Sequence, residues 1–142
     1  MRIRLLLLGK TRRRELRAVL EQYVQRIGRS WPTEVTEIRD GEAALKKLGV
    51  DRAATAVLLD AAGKAYDSVA FAHWLGEQRD RGTREIIFVC GDAHGFPEAL
   101  RRQVRQRVSL SAMTYSHELA RVMLAEQIYR ALAILSGSPY PK

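Results

Sequence analysis

Three short segments of this sequence combine residue types that hold small polar ligands. Leu59-Asp60 closes one apolar run, Gly91-Asp92-Ala93-His94-Gly95 closes another, and Leu110-Ser111-Ala112-Met113-Thr114-Tyr115 closes a third. Glycine lets backbone approach a ligand closely, and in open parallel sheets ligands sit beyond the carboxyl ends of the strands. Arginine carries a second chemistry. It clusters as Arg12, Arg13, Arg14 and Arg17, as Arg79, Arg81 and Arg84, and as Arg101, Arg102, Arg105 and Arg107. The guanidinium fork suits bidentate phosphate contacts, so a net charge of +8 points to a nucleic-acid partner. The same surplus also serves plain solubility.

Beyond the third segment stand His117, Arg121, Glu126, Arg130 and a terminal Pro139-Tyr140-Pro141-Lys142. Glu126 and Arg130, four apart, suit an ordinary helix ion pair worth a few tenths of a kcal/mol. Ser111 and Thr114 suit caps of the helix that follows, His117 a structural or solvated histidine, and Met113 a core position. Cys90 reads as a buried strand residue. No grouping of His, Cys and carboxylates suggests a metal.

These segments need elements to position them, and the apolar pattern supplies them in alternation. Ile3 to Leu8 is a continuous apolar run ending at Gly9, as in a strand buried on both faces. Glu15 to Ile27 has helical spacing, and Thr33 to Ile38 alternates as a strand does. Asp40 can cap a short helix from Glu42 to Leu48. Ala54 to Leu59 is a second buried strand. Ser68 can cap a helix reaching Arg79, and Glu85 to Cys90 is a third apolar strand. Pro97 fits the first turn of a helix to about Gln103, and Arg107 to Leu110 makes a last short strand. The alternation predicts an α/β fold, a mostly parallel sheet with helices on both faces. The 142 residues form one domain, without linker, repeat or low-complexity stretch.

The run Leu5-Leu6-Leu7-Leu8 is too short to span a membrane and has no cleavage site after it. A lone cysteine cannot form an internal disulfide and fits a reducing cytoplasm. The last helix is unusual. From Leu119 to Leu135 its apolar residues cover most of the circumference, so it needs cover from more than one side. A second copy of the chain is the expected cover, across Leu124 and Ile128.

The order Leu-Asp-x-x-Gly-Lys, a strand ending in Gly-x-x-x-Gly, Leu-Ser-x-Met-Thr, His-x-x-x-Arg-x-x-x-x-Glu-x-x-Tyr-Arg-Ala and a terminal Pro-Tyr resembles the ribosomal RNA large subunit methyltransferase H family. This family is a minimal branch of the SPOUT methyltransferases. The likeness runs from the first strand to the last residue and is most specific over Ser109 to Ala131. The stretch between Ile38 and Ala54 is trimmed relative to the family. At two positions the chain departs from the family pattern: Asp92 stands where a second adjacent glycine is usual, and Pro141 where a histidine is usual.

The resemblance implies a homodimer with a carboxyl-terminal trefoil knot that forms a pocket for S-adenosyl-L-methionine. The implied reaction is methylation at N3 of a pseudouridine in 23S ribosomal RNA, in the large-subunit stem-loop facing the small subunit. The substrate is that RNA or the assembled ribosome, with neither DNA nor a membrane as partner. By this likeness Leu59, Gly91 and Leu110 through Tyr115 hold the cofactor. Glu126, Arg121, Arg130 and Tyr140 are the catalytic candidates, Glu126 as a base and the arginines as partners of developing negative charge. Arg12, Arg13, Arg14, His117 and Lys142 are the RNA-binding candidates. The tail is expected to reach into the partner's active site. A non-catalytic dimer that binds RNA or the ribosome and retains the fold is the alternative, which Asp92 and Pro141 would favour.

Overall fold

The computed structural model describes residues 1–50 and 53–140. Its strands are β1 (Arg2–Leu8), β2 (Thr33–Ile38), β3 (Thr55–Ala65), β4 (Glu85–Cys90) and β5 (Arg107–Ser109). Its helices are α1 (Arg14–Gly28), α2 (Gly41–Val50), α3 (Ser68–Asp80), α4 (Glu98–Gln103) and α5 (His117–Ser136). The strands form one sheet in the order β2-β1-β4-β3-β5, with every neighbouring pair parallel. The expected architecture is therefore observed.

Burial on both faces explains why β1 and β4 are so continuously apolar. Ile3, Leu5, Leu7, Ile86 and Phe88 face one core with Leu20 and Ile27 of α1, Phe71 and Leu75 of α3, and Leu124 and Ile128 of α5. Leu6, Leu8, Ile87 and Val89 face a second core with Ala44 and Leu48 of α2 and Leu100 of α4. Alternate strand residues thus feed opposite layers, as a period of two requires. Each fully buried Leu, Ile or Phe contributes roughly 1.5–3 kcal/mol by leaving water.

Two local expectations are corrected. The cap of α3 is Asp67, whose carboxylate accepts the Ala70 N–H at 2.7 Å. Ser68 instead donates to Gln127 Oε1 at 2.7 Å and ties α3 to α5. The cap of α5 is Ser116, accepting from Leu119 N at 3.4 Å, rather than Ser111 or Thr114. Asp40 does cap α2, through Ala43 N at 3.0 Å.

Strand β3 runs past Leu59, where the sequence suggested a loop. Val108 pairs first with Leu59 and then with Lys64, so the residues between them form a bulge. Within it Asp60 Oδ1 accepts the Ala62 N–H at 3.0 Å. Such bulges re-aim side chains at a sheet edge. Gly63 is needed here, because a Cβ would come within 2.7 Å of the Arg107 backbone.

The all-round apolar character of α5 is satisfied mostly within one chain. It is flanked by α1 and α3, and Val122, Leu124, Ala125, Ile128, Ala131, Leu132 and Ala133 are buried. Gly76 of α3 permits the approach, since a Cβ there would lie 2.9 Å from Leu135. Leu124 and Ile128 are therefore core residues, and the expectation that a second copy covers them is corrected. No described helix is long and apolar enough to cross a membrane.

Candidate active site

A cleft of about 190 Å³ opens beyond the carboxyl ends of β4 and β5, beside the bulge of β3 that begins after Leu59. Leu59, Gly91, Leu110, Ser111, Met113, Thr114 and Tyr115 line it, bringing together residues that sequence reading drew from three separate segments. Ala112 is exposed beside the cleft without lining it. Met113 is 72% exposed, so it is no core residue.

Gly91 is required by space. A Cβ there would lie 2.9 Å from the Gly95 carbonyl oxygen, in a tight loop closed by the Gly95 N–H on Asp92 O at 3.0 Å. The left-handed position of this loop is Gly95, with φ +79°, and no described non-glycine residue has positive φ. Asp92 therefore fits without strain. Its carboxylate accepts the His94 N–H at 2.8 Å, so this departure from the family pattern leaves the loop intact.

The loop from Leu110 to Ser116 is shaped by its own hydroxyls. Ser109 Oγ donates to Ser111 O at 2.9 Å, and Ser111 Oγ accepts from Met113 N at 3.0 Å. Cys90 also borders the cleft, and burial pushes its thiol up to about 12, so it stays a neutral wall residue.

Sequence reading missed a pair at this site. Arg101 Nη1 donates to Asp60 Oδ2 at 2.7 Å, with the guanidinium 5.9 Å from the Phe96 ring centroid. Asp60, Phe96 and Arg101 all line the cleft. The pair fastens the β3 bulge to α4. Asp60 was legible as a strand-end residue, but nothing in the sequence pairs it with an arginine so far along the chain.

His117 borders this same cleft, at the start of α5. Next to it, Glu118 accepts the Arg13 N–H at 2.8 Å, and that hydrogen bond holds its carboxyl below its ordinary value. The backbone that carries the exposed Arg12, Arg13 and Arg14 is thereby tied to α5, one residue from His117 at the cleft. Lys142 and Pro141 lie outside the described residues.

Arg121 requires correction. Its side chain is 0% exposed, with Nη2 donating to Leu8 O at 2.6 Å and Nη1 to Thr11 Oγ1 at 3.0 Å. Burial lowers its pKa from the usual arginine value. A guanidinium so enclosed holds the β1–α1 loop against α5 and cannot touch a substrate.

Glu126, Arg130 and Tyr140 are brought together, but away from this cleft. Arg130 donates to Glu126 at 2.8 and 3.3 Å, and Tyr140 donates to Glu126 Oε2 at 2.9 Å. Gln127 Nε2 donates to the same carboxylate at 2.9 Å. The phenol is raised above its usual pKa, first by burial and then by its contacts with Tyr23 and Glu126, and stays a donor. Tyr140 packs edge-on to Tyr129 at 4.6 Å, so the described tail lies on its own chain. Glu126 borders a second cleft of about 500 Å³ between α1, α3 and α5, which also holds Val19, Tyr66 and Met123. The two clefts share Leu110.

A parallel α/β sheet with a glycine-bound cleft at adjoining strand ends defines a cofactor-binding class of protein, and comparison specifies it. The family described as "Predicted SPOUT methyltransferase" matches residues 1–141. Relatives named "Ribosomal RNA large subunit methyltransferase H" include one from Geobacter sp. (strain M21), 40% identical over 99% of this chain and 98% of its own. Another, from Pelobacter propionicus, is 39% identical over 99% of both chains. The chain belongs to the SPOUT methyltransferases, in the branch that carries the large subunit methyltransferase H name. Among solved structures, the fold is similar to that of the SpoU methyltransferase AviRb from Streptomyces viridochromogenes in complex with the cofactor AdoMet. That likeness has a TM-score of 0.54 and 12% identity, covering 92% of this chain and 57% of that one.

Proposed function

We propose that this chain is an S-adenosylmethionine-dependent methyltransferase that acts on large-subunit ribosomal RNA, at N3 of a pseudouridine in the stem-loop facing the small subunit. The observation that carries the reading is the cleft beyond the ends of β4 and β5 and beside the β3 bulge, with an arginine-rich loop fastened beside it through Glu118. Its residues fit the cofactor. Gly91 permits the tight loop that walls the cleft, and the Asp92 carboxylate adds negative charge to the lining of a site for a cationic ligand, while Asp60 is already paired with Arg101. Bound there, S-adenosylmethionine supplies a methyl group already activated on a sulfonium.

The chain then has to position a ring nitrogen and help it lose a proton. The loop from Leu110 to Tyr115 holds the adenosine through backbone groups. Arg12, Arg13 and Arg14 take phosphates, and His117 stands at the edge of the cleft toward them. Glu126 is not the base for its own cleft, since Arg130, Gln127 and Tyr140 already engage it and it borders the other cavity.

The working form is a cytoplasmic homodimer of single-domain chains, each threaded into the family's trefoil knot. Support comes from the position of the Glu126, Arg130 and Tyr140 cluster outside its own cleft, which suits a role toward a second copy. Val19 and Met123 beside it offer apolar surface to that copy. Asp92 gives no support to a non-catalytic reading, because the loop accommodates it.

Two measurements test the function. S-adenosylhomocysteine should raise the melting temperature, and labelled methyl groups should pass to large ribosomal subunits or assembled ribosomes, with naked rRNA as the comparison. A chain that binds ribosomes but neither binds the cofactor nor transfers methyl sinks the reading.

A further inference from the structure

We infer that a basic, aromatic cleft beside β3 and β5 binds an unpaired nucleotide flanking the target, a reading that rests on RNA being the substrate. The cleft, of about 340 Å³, is bordered by Lys64, Tyr66, Trp74, Arg105 and Arg107. It has cations to meet phosphate and ring faces to meet a base, the pairing by which single-stranded nucleic acid is held.

The rings are fixed in advance. Trp74 stacks on Phe71 at 5.9 Å and 23°, stands edge-on to Phe88 at 6.2 Å, and lies 6.2 Å from Tyr66. Half-buried and braced on the core, it offers a platform whose ordering entropy is already spent before a base arrives. Lys64 Nζ sits 5.0 Å from the centroid of the Tyr66 ring.

The charge here is uncompensated. No carboxylate borders the cleft, and among the described residues none of Lys64, Arg105 and Arg107 forms an ion pair. By contrast Arg4, Arg101 and Arg130 each meet a carboxylate within 3.4 Å. Arg107 spends Nη2 on the Arg101 carbonyl at 3.0 Å, while its buried Nε has no partner. Three cations beside two aromatic rings, with no carboxylate in the lining, complement a polyanion that carries bases.

The cleft also adjoins the two others. It shares Tyr66 and Val108 with the larger cavity between α1, α3 and α5, and that cavity shares Leu110 with the cofactor cleft. Strand β3 serves both clefts, carrying Asp60 of its bulge to the cofactor cleft and Lys64, just past the bulge, to the basic one.

The test uses the full chain with Trp31→Phe, which leaves Trp74 as the reporter. A short unpaired oligouridylate should quench its fluorescence, whereas heparin, with charge but no bases, should bind without quenching. Lys64→Ala with Arg105→Ala, both exposed positions, should weaken the oligonucleotide about tenfold. It should also flatten the salt dependence by roughly 0.7 per lost phosphate contact, with the S-adenosylhomocysteine thermal shift unchanged. Absence of quenching, equal quenching by heparin, or unchanged affinity in the double variant overturns the proposal. Methyl transfer to large ribosomal subunits is followed in parallel. If the wild-type chain transfers methyl and the double variant keeps its kcat/KM, the nucleotide site falls and the function stands. If the wild-type chain is quenched but transfers nothing, the function falls and the site stands.

Discussion

At the scale of residues, the fold gives two of the candidate site positions opposite fates. Gly91 and Arg121 both match the family's pattern, yet one borders the cleft and the other is sealed behind it. In Gly91→Ala the new Cβ meets the Gly95 carbonyl at 2.9 Å, backbone against backbone, so the loop must shift. Overpacking of this kind costs about 1–3 kcal/mol. S-adenosylhomocysteine binding should therefore weaken by roughly tenfold or more in calorimetry while the fold persists; unchanged affinity would remove the close-approach account. Arg121→Met leaves Leu8 O and the Thr11 hydroxyl without their donor. Losing two charge-assisted hydrogen bonds costs about 3 kcal/mol, and the melting temperature should drop by roughly 10 °C. A variant that kept wild-type stability but lost methyl transfer would return Arg121 to the chemistry.

At the scale of elements, the bulged strand β3 and the helix α5 carry the architecture of the site. Strand β3 meets β5 twice, and Gly63 sits against Arg107 where the second meeting begins. Gly63→Val places a branched side chain into that backbone contact. The expected result is a loss of about 2–3 kcal/mol in urea unfolding, together with weaker cofactor binding because Asp60 moves with the bulge. Full stability would show that the second pairing contributes little. Helix α5 divides its faces between core and exterior, and Leu124 and Met123, adjacent in sequence, fall on either side of that division. Leu124→Arg buries an unpaired charge and should leave the chain unfolded or aggregated. Met123→Arg should leave a folded chain whose sedimentation is that of a monomer. A folded dimer in the second variant would move the subunit contact elsewhere.

At the scale of the whole molecule, part of the charge of +8 stands close to the cleft. Arg12, Arg13 and Arg14 stand exposed on a loop whose backbone is tied to Glu118, one residue from His117 at the cleft. Replacing all three with glutamine should lower affinity for ribosomal RNA and flatten its salt dependence, with cofactor affinity unchanged. Equal affinity across salt for both proteins would assign these arginines to solubility. The same molecule-wide view accounts for the tail. Tyr140, through its contacts with Glu126 and Tyr129, is held beside the cleft of α1, α3 and α5 on its own chain.

Much of this was already settled by the order of residues. Unbroken apolar runs such as Leu5 to Leu8 and Ile86 to Val89, short and bounded by Gly9 and Gly91, suit strands covered on both faces, and their alternation with helical segments pointed to the layered parallel fold. Glycine at Gly91, hydroxyls after Leu110 and clustered arginines marked the chemistry, because those properties belong to the residue itself. What the sequence left open depended on distance in three dimensions. The Asp60–Arg101 pair, the burial of Arg121 against Leu8, and the placing of Glu126 at a different cavity from Gly91 all join residues far apart in the chain. The same holds for α5, whose apolar circumference suggested a second molecule. Its periodicity records how much surface must leave water, whereas the source of the cover is settled by packing, and here α1 and α3 supply most of it.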